Sequence, residues 1–405
     1  MVIQVFVGAA LLVAAAGQTP SLAPSSAPSS APSLPPFSSR LPPPITRDDI
    51  VVVGANLADL EADVARCEAG RCAVRDDVIA SVRLAEAMFG NGEYRQARSA
   101  LARSVSRTKK AADSDPFAVA ELQTARSTIA WHYGDQREAL RATAASTRLL
   151  DKHAPDSPKA LLARMRMIKA QAHNYGTLHT QGRLKALSRD ARSAGLPLIA
   201  MRADLGRASL LKQMRRNKEA LGLLDAIIAD RVPNSDDLRL AAQILRMRQA
   251  ANGGDPGAIE ALIASLSEDQ KRQGPVLIWS PPLPTPDGAG RNPNHALLDE
   301  DVRSSDLLVL SWVDIGFAVG ADGHVEDVEI LRGSPRPVWS KPLVKTIALR
   351  RYTPSANLDD LAGRYRIERY TLTADFIVPV GSYIRRRASN PRFEQMDLTT
   401  AAPTG

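Results

Sequence analysis

Cys67 and Cys72 are the chain's two cysteines, and they frame Glu-Ala-Gly-Arg. In an exported protein an even cysteine count at short spacing implies a local disulfide. Closing so short a loop would contribute about 2 kcal/mol in the chain-entropy account. A metal centre would need further ligands, and no histidine lies nearby in sequence. A thiol-redox pair is normally separated by two residues, whereas four stand between these. Other patterns with chemical potential fall short. Ser106-Arg107-Thr108-Lys109 has the S-x-x-K spacing that can activate a serine, but its partner motif fails at Lys345-Thr346, where isoleucine replaces glycine. The histidines (His132, His153, His173, His179, His295, His324) never take the spacing that sets two metal ligands on one helix face. No glycine-rich phosphate loop and no G-x-S-x-G elbow occurs. No catalytic, cofactor-binding or metal residue is assigned, no cofactor is expected, and the chain reads as a non-enzyme.

Bulk properties narrow the remaining classes. A length of 405 residues allows two or three domains, and 44% apolar content is ordinary for a globular chain. The formal charge of +8 comes mostly from arginines scattered along helical segments. With 4% aromatic residues there is little to stack against bases, so nucleic acid is not an expected partner.

Residues 1–17 are almost continuously apolar and end in Ala14-Ala15-Ala16-Gly17. That run is short for a bilayer span and suits a cleaved export signal; an uncleaved anchor is the alternative, since no Lys or Arg precedes it. Residues 18–47 are dominated by Pro, Ser, Ala and Leu. Such a stretch cannot bury enough apolar surface to offset its backbone entropy, and is expected to be a disordered spacer.

Residues 48–270 carry a repeated helical unit. The segments GNGEYRQARSALARSV, YGDQREALRATAAS, MRRNKEALGLLDAII and GGDPGAIEALIASL each open with a turn and place an alanine inside the following helix: Ala97, Ala139, Ala220 and Ala258. In three of them a leucine follows four residues on, at Leu101, Leu224 and Leu262. The alanine spacings are 42, 81 and 38, so the long gap holds a further unit, expected as a helix pair over 158–174 and 178–194. Small residues at fixed places let paired helices pack closely, and stacked pairs share one core. The segment resembles a divergent tetratricopeptide-type α-solenoid, without that family's early Trp-Leu-Gly pattern. A non-repetitive all-α bundle is the alternative.

A proline-rich connector over 271–298 leads to a small α+β domain over 299–384. Val309, Val313, Ile315, Phe317 and Val319 share one parity, as in a half-buried strand. Gly320-Ala321-Asp322-Gly323 supplies turn chemistry, and Val325, Val328 and Ile330 form a second strand. The step of three from Val325 to Val328 predicts a β-bulge near Glu326-Asp327. Ser340 can cap a helix with Pro342 in its first turn and an apolar stripe of Leu343, Val344 and Ile347. A third strand alternates at Tyr370, Leu372, Ala374, Phe376 and Val378. The order is ββαβ: a three-stranded antiparallel sheet with one helix on a face.

That order resembles a TonB C-terminal domain. Asp322-Gly323, then Val325, Val328 and Ile330, then Tyr352-Thr353-Pro354 match the family's turn, second strand and helix end. The family's Ser-Ser-Gly segment is replaced by Arg332-Gly333-Ser334-Pro335. The resemblance implies partner capture by edge-strand pairing, with Tyr365, Ile367, Tyr370, Leu372 and Phe376 on the candidate edge strand. Arg385-Arg386-Arg387 opens a tail over 385–405 that is expected to fray, with weak contact to an anionic membrane or cell wall as a lesser role.

The expectation is therefore a multidomain protein, a helical repeat followed by a TonB-like sheet, acting as a periplasmic adaptor for protein partners. Outer-membrane receptors and other periplasmic proteins are the expected partner classes. The alternative is an inner-membrane-anchored energy transducer facing the periplasm. That family's membrane helix uses a histidine, and residues 5–16 here contain no polar residue, which argues against coupling of that kind.

Overall fold

Several helices in the first part of this chain begin at a capping side chain or a proline, and several turn back where a residue takes positive φ. Helix α4 (Pro116–Tyr133) starts at Asp115, whose carboxylate accepts from the Ala118 N–H, and stops at Gly134 with φ 86°. α6 (Pro158–Ser193) starts at Ser157 in the same way and is broken at Gly176, φ 75° and ψ 168°. This break makes it the expected pair of helices, joined by hydrogen bonding from Arg183 back to Gln171. The computed structural model describes residues 57–250, 256–267, 270, 275–284, 310–334, 339–354, 364–378, 381, 383–388 and 391–399. The export signal and spacer expected over 1–47, and much of the connector, lie outside the described residues.

The remaining helices complete a series of antiparallel pairs. After α1 (Leu57–Glu68) come α2 (Val74–Gly90) with α3 (Tyr94–Thr108), and α4 with α5 (Gln136–His153). The two halves of α6 follow, then α7 (Pro197–Gln213) with α8 (Asn217–Ala229), and α9 (Asp236–Ala250) with α10 (Pro256–Ala264). Ala97, Ala139 and Ala220 have no exposed surface, and neither have Leu101 and Leu224. A larger side chain at any of these alanines would push its pair apart, which is why the small residue recurs. Buried clusters run from pair to pair along the stack, so each pair depends on its neighbours for a core. Cys67 and Cys72 form a disulfide across the α1–α2 turn, with both residues packed on the first cluster.

The sheet contains β2 (Ser311–Val319), β3 (Val325–Gly333), β5 (Tyr365–Thr373) and β8 (Arg392–Asp397), all antiparallel, in the order β3-β2-β5-β8. The bulge expected near Glu326-Asp327 is present: Gly316 faces Glu329 and Ala318 faces Glu326, with Asp327 at φ 50°. A second irregularity opposite Asp314-Ile315 was not visible in the alternation. α11 (Ser340–Ala348) covers one face, with Trp339 rather than Ser340 at the N-cap. Val313, Ile315, Phe317 and Val319 are wholly buried against Leu343 and Ile347 of this helix. Two short ribbons complete the module: β1 (Leu277–Trp279) with β4 (Arg351–Tyr352), and β6 (Phe376–Ile377) with β7 (Arg386–Arg387).

Two expectations are corrected here. Residues 392–397 do not fray; they form β8, because Phe393 reaches the α11-side core and Met396 packs on the first helical cluster. Tyr365–Thr373 is consequently an interior strand with a partner on each side, not an edge. The Arg and Glu residues of 392–397 had masked that alternation.

Candidate interaction surface

Each residue of the expected edge strand now has a definite place. Tyr370 and Leu372 are fully buried on the α11 side, and Ile367 and Tyr365 lie in register with Gly316 and Ala318 of β2. Phe376 leaves the strand after Ala374-Asp375 and joins the β6–β7 ribbon. From Ile367 to Leu372 the main chain of β5 is paired on both sides, so this stretch offers no edge to a partner.

What β5 does instead is attach the sheet to the helical repeat. Asp314 and Arg369 stand opposite each other in the β2–β5 ladder, and both are buried. Arg369 Nε and Nη2 donate to Asp314 Oδ1 and Oδ2 at 2.7 and 2.8 Å. The same guanidinium donates to Phe89 O and, at 2.7 Å, to Gly90 O, the last carbonyls of α2. It also stacks on Trp312, 4.0 Å from the ring centroid. A cation at a helix C-terminus satisfies orphan carbonyls and complements the helix dipole. The arrangement recurs one pair further on: Arg387 Nη2 donates to Tyr133 O at the end of α4, 3.2 Å away. Thus two sheet-module arginines cap the first helices of two successive pairs.

Between these caps lies a small polar seam. Thr371 Oγ1 is 2.9 Å from Tyr94 OH and 3.1 Å from His132 Nδ1. His132 is buried, and burial together with the nearby Arg369 and Arg392 charges pushes its pKa down to about 3, so it is neutral. Close approach needs glycine at the tips. A Cβ on Gly92 would stand 2.1 Å from Trp312 Nε1, and one on Gly134 would stand 2.3 Å from Ala374 O.

The other end of the repeat is tied as well. Arg248 of α9 donates to Ile278 O at 2.6 Å, and Ile278 packs with Leu240, Ile244 and Ile259. Val276 exchanges hydrogen bonds with Thr353, and Arg351 reaches Glu260 of α10 at 2.5 Å. On the α11 face, Arg350 donates to Glu368 Oε2 and Tyr370 OH at 2.7 and 2.6 Å. Burial and the Glu368 charge hold the Tyr370 hydroxyl well above its usual range, so it stays protonated.

The chemistry-bearing candidates separate. Ser106 is exposed with its hydroxyl on Ala102 O, and Lys109 is exposed. His153 pairs with Asp113, and His179 stacks on Tyr175. Among the described residues no group of three or more His, Cys, Asp or Glu could hold a metal ion. Sequence reasoning missed Asp314, Arg369 and His132; the available signal was a lone carboxylate inside the apolar strand 313–319.

The sequence matches no family model, and no curated protein matches it. Among solved structures, BtubC (BKLC) from P. vanneervenii is similar at 14% identity with a TM-score of 0.42, covering 51% of this chain and 87% of that one. Two structures of kinesin light chain nearly identical TPR-like repeats from Podosopora anserina are also similar. One, a point-substituted form, matches at 18% identity and TM-score 0.39, covering 48% of this chain and 96% of that one. The other matches at 20% and 0.37, covering 46% and 91%.

Proposed function

We propose that the chain is an exported, non-enzymatic adaptor that holds a protein partner's strand against the outer edge of β8. The observation that carries this reading is the sheet order, which among the described residues leaves β8 as a terminal strand with six consecutive paired residues and no bulge. Leu398 N–H donates inward to Ile367 O, so by alternation the N–H groups of Phe393, Gln395 and Asp397 face outward. The other terminal strand, β3, is interrupted twice and carries Glu326, Asp327 and Glu329, features that discourage pairing. Main-chain hydrogen bonding to an open edge supplies affinity, and side-chain pockets supply specificity.

The TonB-like resemblance is part of this proposal, with the capturing strand moved from β5 to β8. The Cys67–Cys72 disulfide supports an oxidising compartment, hence the periplasm, where outer-membrane receptors and soluble periplasmic proteins are the candidate partners.

The test is Gln395→Pro, which removes one outward donor and leaves the β5 ladder its inward bonds. Crosslinked capture of periplasmic partners is expected to disappear while stability changes by no more than about 0.5 kcal/mol. Unchanged capture rejects the edge. Fractionation with intact-mass measurement tests the location: a soluble chain beginning near Gln18 supports the adaptor, and a full-length membrane form favours an energy transducer.

A further inference from the structure

The β6–β7 ribbon is held to the body at its base and exposes its tip. At the base, Phe376 N–H donates to Gly134 O at 3.2 Å and Ala388 N–H donates to Asp375 O at 2.7 Å. The Phe376 ring lies 5.6 Å from that of Tyr133, and the Arg387 guanidinium stacks on both. Beyond that base the apolar side chains turn to solvent. Ile377 is 41% exposed, Val378 50%, Ile384 77%, and Tyr383 wholly. Four of the ten large apolar or aromatic side chains that stand exposed among the described residues therefore fall within 377–384. Single exposed apolar residues are ordinary on a protein surface, whereas a cluster at one tip marks an interaction site.

The charge around the tip indicates what it meets. From Phe376 to Phe393 the sequence holds Arg385, Arg386, Arg387 and Arg392 and no Asp or Glu. Arg387 is engaged by the Tyr133 carbonyl, and Arg392 by Asp375 and Glu394. Arg386 is exposed and has no ion pair among the described residues. Arg385 meets Asp135 at 3.1 Å and lines a cleft of about 510 Å³ in which four further arginines face only Asp135 and Glu138. An apolar tip beside a surplus of guanidiniums fits an anionic bilayer. Aliphatic chains enter the acyl boundary, a tyrosine settles at headgroup level, and arginines are drawn to the phosphates. A groove on a protein partner would accept the aliphatic residues but gives no reason for the arginine surplus around them.

We propose that the β6–β7 tip is a peripheral membrane contact for an anionic phospholipid surface, with Ile377, Val378, Tyr383 and Ile384 entering the interface and Arg386 meeting headgroup phosphates. The basic cleft beside Arg385 adds attraction toward the same surface. Four side chains and few charges make the contact reversible. The ribbon is not the β8 edge, so this proposal and strand capture can fail separately.

The experiment places an NBD fluorophore on Val378→Cys in the full chain; Cys67 and Cys72 are joined to each other and take no label. The label reads entry of the tip itself, whatever residues 1–17 do on lipid. Vesicles of about three parts phosphatidylcholine to one of phosphatidylglycerol should raise its emission and shift it to the blue, and raising salt from about 0.1 to 0.5 M should reduce the response. Pure phosphatidylcholine vesicles should give a response at least about fivefold smaller at equal lipid. At the lipid concentration that half-saturates the parent, the response should fall at least about fivefold in Tyr383→Ser/Ile384→Ser and about threefold in Arg386→Gln. Urea midpoints confirm that both variants fold. Gln395→Pro, which acts on the β8 edge, should respond as the parent does. The proposal is overturned by no blue shift on anionic vesicles, by an equal response on neutral ones, or by an unchanged response in either tip variant.

Discussion

Replacing Arg369 with methionine keeps most of the side-chain stem and removes the charge that joins the sheet to α2. Asp314, 1% exposed, would retain only Arg332, whose side chain is half in solvent. The Gly90 carbonyl would lose its donor at the same time, while Phe89 O keeps the Gly92 N–H. Breaking a buried pair by deleting one member costs about 3–5 kcal/mol, and the Gly90 carbonyl left without its donor adds up to roughly 1 more. A loss of about 5 kcal/mol is a large share of the 5–15 kcal/mol that typically holds a domain together, so the sheet should detach before the helices melt. Urea titration followed by far-UV circular dichroism and by tryptophan fluorescence reads both events, since Trp312 stacks on Arg369. The parent chain should show coincident transitions. In Arg369→Met the fluorescence midpoint should fall by about 1.5 M, taking an m-value of about 3 kcal/mol/M, with the helical signal lost later. Asp314→Asn/Arg369→Met should recover part of the loss, because no unpaired buried charge remains. Coincident transitions shifted by less than about 0.3 M in the single variant would refute the reasoning, since the buried pair would then not be what holds the sheet.

Three further outcomes follow from the same interface and from the disulfide. His132 has a folded pKa of about 3 against 6.5 when unfolded, so its contribution is intact above pH 6.5 and is lost as pH falls toward 3. Stability should drop by about 2 kcal/mol between pH 6.5 and 5 relative to His132→Gln, and equal pH slopes in the two proteins would count against a neutral buried imidazole. Gly92→Ala meets the Trp312 indole, whereas Gly195→Ala, also at positive φ, meets nothing within 4 Å. Both should carry a backbone cost of about 1–2 kcal/mol, with Gly92→Ala losing about 1–3 kcal/mol more and shifting the tryptophan emission. Cys67→Ser/Cys72→Ser should cost about 2 kcal/mol in urea melts, and the parent chain under reductant should lose a similar amount.

The helical part was legible because its signals are local. The buried alanines Ala97, Ala139 and Ala220, the turn before each and, after the first and last, the leucine one turn later are set by packing within one hairpin, and that physics repeats along the chain. The hairpin 311–333 and its bulge were legible for the same reason: one face is buried, so alternation and its interruption record which residues face the core. The position of β5 was not. Whether a strand lies at an edge depends on what pairs beside it, and β8 reaches it from a later stretch of the chain whose charges hide its alternation.

By itself, then, the sequence determined the two kinds of architecture, the turn at each helix pair and the cysteine pairing, all of which rest on interactions between residues near one another in the chain. Only the tertiary structure decided that the sheet and the repeat are one body. Arg369 and Arg387 look like solvated strand charges until the ends of α2 and α4, far away in sequence, present carbonyls that need a donor. Burying a guanidinium is favourable only where such partners converge, and that convergence is a property of the folded surface rather than of any local pattern.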